Sequence, residues 1–486
     1  MIENKKAQKK HESVLSGFLH IGFGTAINMV IGFFTTPIIT RLVDPTEYGR
    51  LSIFNMYISI SIMVLCMGLD QALVRYYYKD TRIEYKRWLI FNCSISPILI
   101  SVVFVTCFSL IVCLFSLPFK FSDVLLFLSF GVVGHLLYRF GTLVLRLEGK
   151  NKLYSAVYVA NKSVYILTAL GLIVFTNWNR FYCLAFATVF AFCSTAVFSI
   201  WMSRQNWRIT AGKRYGEVTR SELVKYGLPF IISMGLTTLF QSIDKMSLDH
   251  FCDYATVGVY TSAVTIVSVF AIIQTTFNTM WAPMMVKHYE NAPEDRGFYA
   301  KYNAIITVIM FAFGLTLILF KDLFGLLLGV KYREAAYIVP FLALEPIMFT
   351  ISETTVTGIV VKSKSKMHIL VGGIACLTNI IGNTLLIPLI GPKGAAISTG
   401  LSYIVFLLVR TIISNRYYKV DYMFKQFGII TIVMIAFATL NTYFKFGLWT
   451  IVAYLISILV LFFLYKEYVL FLFSKAKSIV HSVLKR

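Results

Sequence analysis

Apolar residues run through this chain in long, nearly unbroken blocks, and polar residues are confined to the short segments between them. The blocks lie at 14–39, 51–74, 88–117, 124–147, 153–175, 181–202, 228–252, 259–285, 303–325, 338–361, 370–390, 397–414, 427–443 and 448–465. Each approaches or exceeds the ~20 residues that cross a bilayer as a helix, and none alternates with the period of two that marks a strand. The pattern predicts an all-α polytopic membrane protein of about 14 transmembrane helices. Gly391, Pro392 and Gly394 crowd the joint between the eleventh and twelfth blocks, which makes the boundaries there the least sharp. No small-residue cleavage site follows a short apolar core in the first block, so it reads as a retained helix.

Composition strengthens that reading. Hydrophobic residues make up 58% of the 486 and charged residues only 14%, where globular chains carry about 25% charged. Mean hydropathy is +0.74. A soluble enzyme and a DNA-binding protein are excluded. The net charge of +22 reads as a topology signal once the basic residues are assigned to alternate connections. One set, which holds both termini and the residues around Arg75, Lys150, Arg204, Lys287, Lys364 and Arg416, contains 31 Lys and Arg; the other contains 8, and 6 lie within spans. Cytoplasmic loops hold the excess of basic residues, so both termini are expected in the cytoplasm and no nucleic acid is implied. The eight cysteines sit almost entirely in apolar blocks and read as buried small hydrophobes, with no disulfide or metal pattern.

The connections on the other face are short, the longest being about a dozen residues around Val330 to Tyr337. No external catalytic domain is expected. Phosphate-cradling glycine loops, paired metal-binding histidines and nucleophile elbows are missing from the sequence, and Gly22 and Gly24 begin a dinucleotide pattern that Thr25, Ala26 and Ile27 end. The chain is therefore expected to be no enzyme, to need no cofactor, and to draw its driving force from a gradient.

A layout repeat suggests two lobes. Asp44 and Gly49 correspond to Asp253 and Gly258 at an offset of 209, and Lys150 and Lys152 to Lys364 and Lys366 at 214. Repeats of this kind build many transporters. The expected organisation is a six-helix lobe at 14–202, a basic cytoplasmic connector at 203–227, a second six-helix lobe at 228–416, an additional helix pair at 427–466 and a basic tail at 467–486. Two such lobes suit alternating access by rocking. The tail, apolar at Val469 to Phe473 and basic at Lys475 and Lys477, reads as an interfacial helix.

Particular stretches resemble a known family. They are Thr36-Pro37-Ile38-Ile39-Thr40-Arg41-Leu42-Val43-Asp44-Pro45-Thr46-Glu47-Tyr48-Gly49, Gly68-Leu69-Asp70-Gln71-Ala72-Leu73-Val74-Arg75, Ser242-Ile243-Asp244-Lys245 with Gly258-Val259-Tyr260, and Leu328-Gly329-Val330-Lys331-Tyr332-Arg333-Glu334-Ala335-Ala336. The chain resembles the Wzx-type polysaccharide and O-antigen flippases of the multidrug/oligosaccharidyl-lipid/polysaccharide exporter superfamily over most of its length. That resemblance implies a V-shaped two-lobed carrier in the bacterial cytoplasmic membrane. It would move an undecaprenyl-pyrophosphate-linked oligosaccharide from the inner to the outer leaflet for O-antigen or capsule synthesis. Implied partners are the lipid-linked oligosaccharide, membrane lipids, and a polysaccharide polymerase with its chain-length regulator.

Charges within spans are the candidate functional groups, because a charge at the bilayer centre costs ~3 kcal/mol even on lenient scales. His135, Arg139, Thr142 and Arg146 follow 4, 3, 4 spacing on one helical face. Guanidinium groups match phosphate oxygens, so this stripe is a candidate pyrophosphate site; the competing reading is that the arginines reach for headgroups. Lys162 stands between Tyr158 and Tyr165 at helical spacing, and could meet phosphate while the tyrosines stack on sugar or line the bundle. Lys245 is a further candidate, unless it only neutralises Asp249 at i+4. Asp70, Asp244, Glu345 and Glu353 are candidates for ion coupling or for pairing with Arg139 or Lys245, since a poorly solvated carboxylate readily takes up a proton. Lys321 and Asp322 read as interface anchors, and Arg410 as a residue extending to the headgroups.

The leading expectation is a flippase with a basic cavity. The alternatives are a cation-coupled multidrug exporter, whose cavity should be acidic, a peptidoglycan lipid-precursor flippase, and a non-transporting assembly scaffold.

Overall fold

The computed structural model describes residue 27 and residues 30–115, 121–208 and 218–484. Most of the first predicted span, Gly22 and Gly24, the basic N-terminus, and residues 209–217 of the connector lie outside the described residues. Within them, regular structure is helical throughout, as an apolar solvent demands when every backbone N–H and C=O needs a partner. Ten helices are long and apolar enough to cross a membrane, or up to 13 spans when each of three bent helix pairs counts as one. A shorter apolar helix, α1 at Val30–Leu42, falls at the end of the first predicted span. The described residues form two compact units, one ending at Ser242 and the other beginning at Ile243, with Thr36–Thr46 belonging to the second.

The first unit contains α2 (Pro45–Leu65), α3 (Leu69–Tyr76), α4 (Ile83–Leu114), α5 (Leu125–Leu147), α6 (Asn151–Phe175), α7 (Arg180–Met202) and the part of α8 (Arg220–Phe251) up to Ser242. Helices in lipid gain little from hydrophobic burial against each other and instead approach closely through small residues. The α5/α7 pair does this: a side chain at Gly131 would meet Ile58 and Val189, and one at Gly134 would meet Cys193, while Ala185, Ala187, Ala191 and Ala196 of α7 are buried. Hydroxyls within spans bond back to their own helix, as Thr188 does to the Leu184 carbonyl at 2.9 Å and Thr195 to that of Ala191 at 2.5 Å.

The predicted single span at 51–74 is broken. Met67 and Gly68 both adopt positive φ, 52° and 65°, and separate α2 from α3. Gly68 is needed there twice over: its backbone lies in the left-handed region, and a Cβ would collide with the Gly227 carbonyl of α8. This break sets the direction in which α3 presents Asp70.

The second unit contains α9 (Tyr254–Val267), α10 (Phe270–Asn291), α11 (Arg296–Leu319), α12 (Lys321–Leu327), a 3₁₀ segment at Val330–Tyr337, α13 (Val339–Leu342), α14 (Leu344–Thr355), α15 (Thr357–Val361), α16 (Lys366–Ile390), α17 (Pro392–Tyr417), α18 (Phe424–Tyr443), α19 (Leu448–Leu464) and α20 (Lys466–Leu484). α9 and α10 are bent by 48°, and α20 turns from α19 by 94°. Gly391 (φ 59°) followed by Pro392 at the helix start reverses the chain between α16 and α17, so that joint is a single-residue turn. The segment Thr36–Thr46 docks here on another quoted stretch: the Gly329 N–H donates to Thr40 Oγ1 at 3.1 Å, the Tyr332 hydroxyl donates to the Val43 carbonyl at 2.9 Å, and Lys331 pairs with Asp44. Asp44 and Asp253 each stand one residue before a helix. Asp253 caps α9 by accepting from Thr256 N–H at 2.8 Å, a bond that holds its carboxyl below the usual carboxylate range.

Candidate functional site

In the first unit, α3 and α5 bring Asp70 and Arg139 together. Arg139 Nη2 and Nε donate to Asp70 Oδ2 at 2.5 and 3.2 Å, and Gln71 Nε2 donates to the same oxygen at 2.9 Å. Asp70 is 3% exposed. Both residues line a cavity of about 170 Å³ together with His135, Ser59, Met63 and Thr238. His135 stacks on Phe192 with 4.1 Å between ring centroids. Asp70 Oδ1 and His135 Nδ1 are buried without hydrogen-bond partners among the described residues.

The predicted stripe on α5 therefore divides. His135 and Arg139 line the cavity. Thr142 is buried and turns its hydroxyl onto the Tyr138 carbonyl at 2.8 Å. Arg146 is exposed in the last turn of α5. A 23-residue helix passes through several environments along its length, so the 4, 3, 4 spacing gives the four residues no common surrounding. Arg139 is also not the free cation that a pyrophosphate clamp needs, because its charge already meets Asp70.

Lys162 differs. It is half-buried on α6, its Nζ lies 5.9 Å from the Tyr165 ring centroid, and it makes no ion pair or hydrogen bond among the described residues. Tyr158 stacks on Tyr154 at 6.1 Å and packs against the cluster of Tyr138, Leu145, Val157 and Ala196. Of the two tyrosines, Tyr165 stands by the lysine and Tyr158 is a packing residue.

In the second unit, Asp244 is 8% exposed, and its hydrogen bonds among the described residues come from uncharged groups. Tyr260 OH and Thr399 Oγ1 donate to Oδ2 at 2.5 and 2.6 Å, while Asn379 and Asn383 Nδ2 donate to Oδ1 at 3.2 and 2.9 Å. Lys245 forms no ion pair within 4 Å among the described residues, so the predicted Lys245–Asp249 neutralisation is absent. Glu345 accepts from the Tyr403 hydroxyl at 3.1 Å. Asn383 Oδ1 is buried without a partner. Among the described residues no three His, Cys, Asp or Glu converge as metal ligands, yet the oxygens of Asp244, Thr399 and the two amides form a set suited to a hard cation, since amide orientation is set by its partners.

Glu353 has a cationic partner. Arg410 Nη1 donates to it at 2.7 Å and to Ser352 at 2.8 Å, and Arg410 is only 6% exposed. Arg410 thus does not extend to headgroups, and Glu353 pairs with it rather than with Lys245 or Arg139. Lys321 is likewise no surface anchor: its side chain is fully buried, 3.0 Å from Asp322 and over the Tyr337 ring.

Tyr260, Asn379, Asn383 and Thr399 were missed as site residues. The signal available was Asn379 and Asn383 at i, i+4 within an otherwise apolar block, a pair that a lipid-facing helix has no reason to carry.

Comparison with solved structures places the fold. The chain is similar to the lipid II flippase MurJ in its inward closed conformation, with 14% identity, a TM-score of 0.66, and 96% of this chain and 99% of that chain covered. It is also similar to multidrug resistance MATE family transporters of the MOP superfamily, outward-facing at 14% identity and TM-score 0.58 over 83% of this chain and 94% of that one, and inward-facing at 15% and 0.54 over 81% and 94%. At these identities the likeness concerns the fold alone, which is that of an all-helical multi-pass membrane protein. Among curated proteins, none matches the chain in sequence. Residues 14–289, more than half the chain, match the sequence pattern described as polysaccharide biosynthesis protein, and the chain belongs to that family.

Proposed function

We propose that this protein is a flippase that carries an undecaprenyl-pyrophosphate-linked oligosaccharide from the inner to the outer leaflet of a bacterial cytoplasmic membrane, with both termini in the cytoplasm, for surface polysaccharide assembly. Membership of the polysaccharide biosynthesis family supports the pathway, and the fold shared with a lipid II flippase supports a lipid-linked cargo. The observation that carries the reading is Lys162. An ammonium held half-buried beside Tyr165 without a carboxylate loses hydration and gains no ion pair, so it favours an arriving anion, here the pyrophosphate. Arg139 contributes through its pair with Asp70 rather than as a phosphate clamp.

Coupling to an ion falls to the second unit. Asp244 is a buried carboxylate whose hydrogen bonds among the described residues come from neutral donors, and with its oxygen-rich neighbours it suits a sodium ion or a proton. The same feature favours the second reading, a cation-coupled drug exporter, whose cargo would be an organic cation. Lys162, which makes no ion pair among the described residues, opposes that cargo. A polysaccharide polymerase and chain-length regulator would act on the product. The experiment is export in cells: Lys162→Ala is expected to lower surface polysaccharide at least tenfold while lipid-linked oligosaccharide accumulates inside. Wild-type export from the alanine variant, or resistance to cationic drugs conferred by expressing the protein, removes this function.

A further inference from the structure

Where the apolar helix α19 ends, α20 leaves it at 94°. Membrane spans tilt from the bilayer normal by ~20° on average, so a helix that turns off a span at this angle runs close to the membrane plane. The two sides of α20 differ. Tyr468, Val469, Phe471 and Leu472 are half-buried, and the Phe471 ring lies under Lys301 of α11, 4.7 Å from its Nζ to the ring centroid. Lys466, Leu470, Phe473 and Lys477, at spacings of 4, 3 and 4, share the opposite side and are exposed. Leu470 keeps 50% and Phe473 68% of its surface.

That face fits neither water nor the acyl interior. Water gives no reason to place a leucine and a phenylalanine on it, and acyl chains give none to place a lysine at either end. It fits the boundary between headgroups and acyl chains, where apolar side chains dip inward and lysine stems let the ammonium groups reach out to phosphate. Lys475 is exposed as well, and Glu467 is the one acid among the described side chains of α20, so positive charge is in excess. Lys466 and Lys477 stand eleven residues apart, about 16 Å along the helix, and so meet separate headgroups.

We propose that the uncovered face of α20 docks on anionic phospholipid of the surrounding bilayer, with Leu470 and Phe473 inserted below the headgroups and Lys466, Lys475 and Lys477 on their phosphates. The excess charge selects the lipid, because an anionic surface attracts each added lysine and a zwitterionic headgroup sets its own cation beside the phosphate. The bilayer is the occupant because the turn after α19 leaves this face at the depth where a membrane surface already lies. The lipid holds α20 in place and, through Phe471 and Lys301, the first turns of α11. This docking does not depend on the cargo.

The test is amide hydrogen exchange over residues 466–478 of the full-length protein, in nanodiscs of phosphatidylcholine alone and of an equal mixture of phosphatidylcholine and phosphatidylglycerol. Exchange should be roughly 10- to 30-fold slower in the mixture, the worth of two net charges at an anionic surface, and the difference should shrink as salt is raised. Lys466→Gln/Lys475→Gln/Lys477→Gln should abolish the difference and leave exchange in α19 unchanged. Glutamine matches lysine closely in helix propensity, so a lost difference reports lost lipid contact and not a lost helix. Leu470→Ser/Phe473→Ser should speed exchange in both lipids. Equal exchange of wild type in the two lipids, or a difference that survives the triple glutamine variant, overturns the recognition of anionic lipid. Protection that rises with protein concentration in lipid-free detergent shows a second copy on this face and overturns the bilayer as its occupant.

Discussion

Asp70 and Asp244 are both carboxylates buried between apolar helices, and they are satisfied by opposite means. Asp70 meets a guanidinium, so its surroundings are close to neutral and the remaining interactions are hydrogen bonds. Asp244 meets a tyrosine, a threonine and two asparagines, so its hydrogen bonds come from neutral donors. One carboxylate is offset by a guanidinium and the other is held by hydrogen bonds from uncharged side chains. Burial of an acid alone does not distinguish these roles; the charge of its partners does.

The comparison breaks most directly at Asp244. Asp244→Ala leaves four donors facing one another, and a loss of about 3–5 kcal/mol is expected in the stability of the purified protein. Asp244→Asn keeps the shape, so its thermal midpoint should stay closer to wild type while transport falls at least tenfold and ceases to depend on the coupling ion. If that variant transports normally with its ion dependence intact, Asp244 has only a structural role. Arg139→Ala comes next. It strands Asp70 without its cation and should cost ~3 kcal/mol, most of which Asp70→Asn in the same chain should restore. A coupling energy below ~0.5 kcal/mol in that double-mutant cycle would show that the pair is not a unit.

Gly68→Ala should cost about 1–3 kcal/mol through backbone strain at φ 65° and should disturb the Asp70 cavity while leaving ion binding at Asp244 intact; loss of both together would contradict their independence. The smallest effect concerns Asp253, which is held low by Thr256 N–H. Asp253→Ala should cost about 1 kcal/mol near neutral pH. Because the folded carboxyl is depressed, this stabilisation is present above the ordinary carboxylate range near 3.9 and disappears as pH falls through the lower folded value. The difference between variant and wild type should therefore vanish in strong acid, as followed by thermal unfolding across pH.

Much of the fold was legible because lipid imposes a strict rule on length and polarity: the apolar blocks that the structure describes are helical, and the Gly391–Pro392 joint is a tight turn. The breaks were harder to read. Nothing in the hydropathy of 51–74 announces the positive φ at Met67, which arises from the approach of Gly227 to Gly68 far along the chain. Site residues were legible as charges and illegible as pairs. Asp70, Arg139, Glu353 and Arg410 all stood out as costly groups within spans, yet sequence cannot say that Arg139 meets Asp70 across 69 positions or that Arg410 meets Glu353 across 57. Asn379, Asn383 and Thr399 escaped because neutral polar residues raise no alarm in an apolar block until a carboxylate is found beside them.

The most direct measurement is the rate at which undecaprenyl-pyrophosphate-linked oligosaccharide crosses the bilayer of proteoliposomes, compared between wild type and Lys162→Ala under the same ion gradient. The proposed assignment predicts transfer by wild type, a rate at least tenfold lower for the alanine variant, and partial recovery in Lys162→Arg. Equal rates for wild type and Lys162→Ala would contradict it.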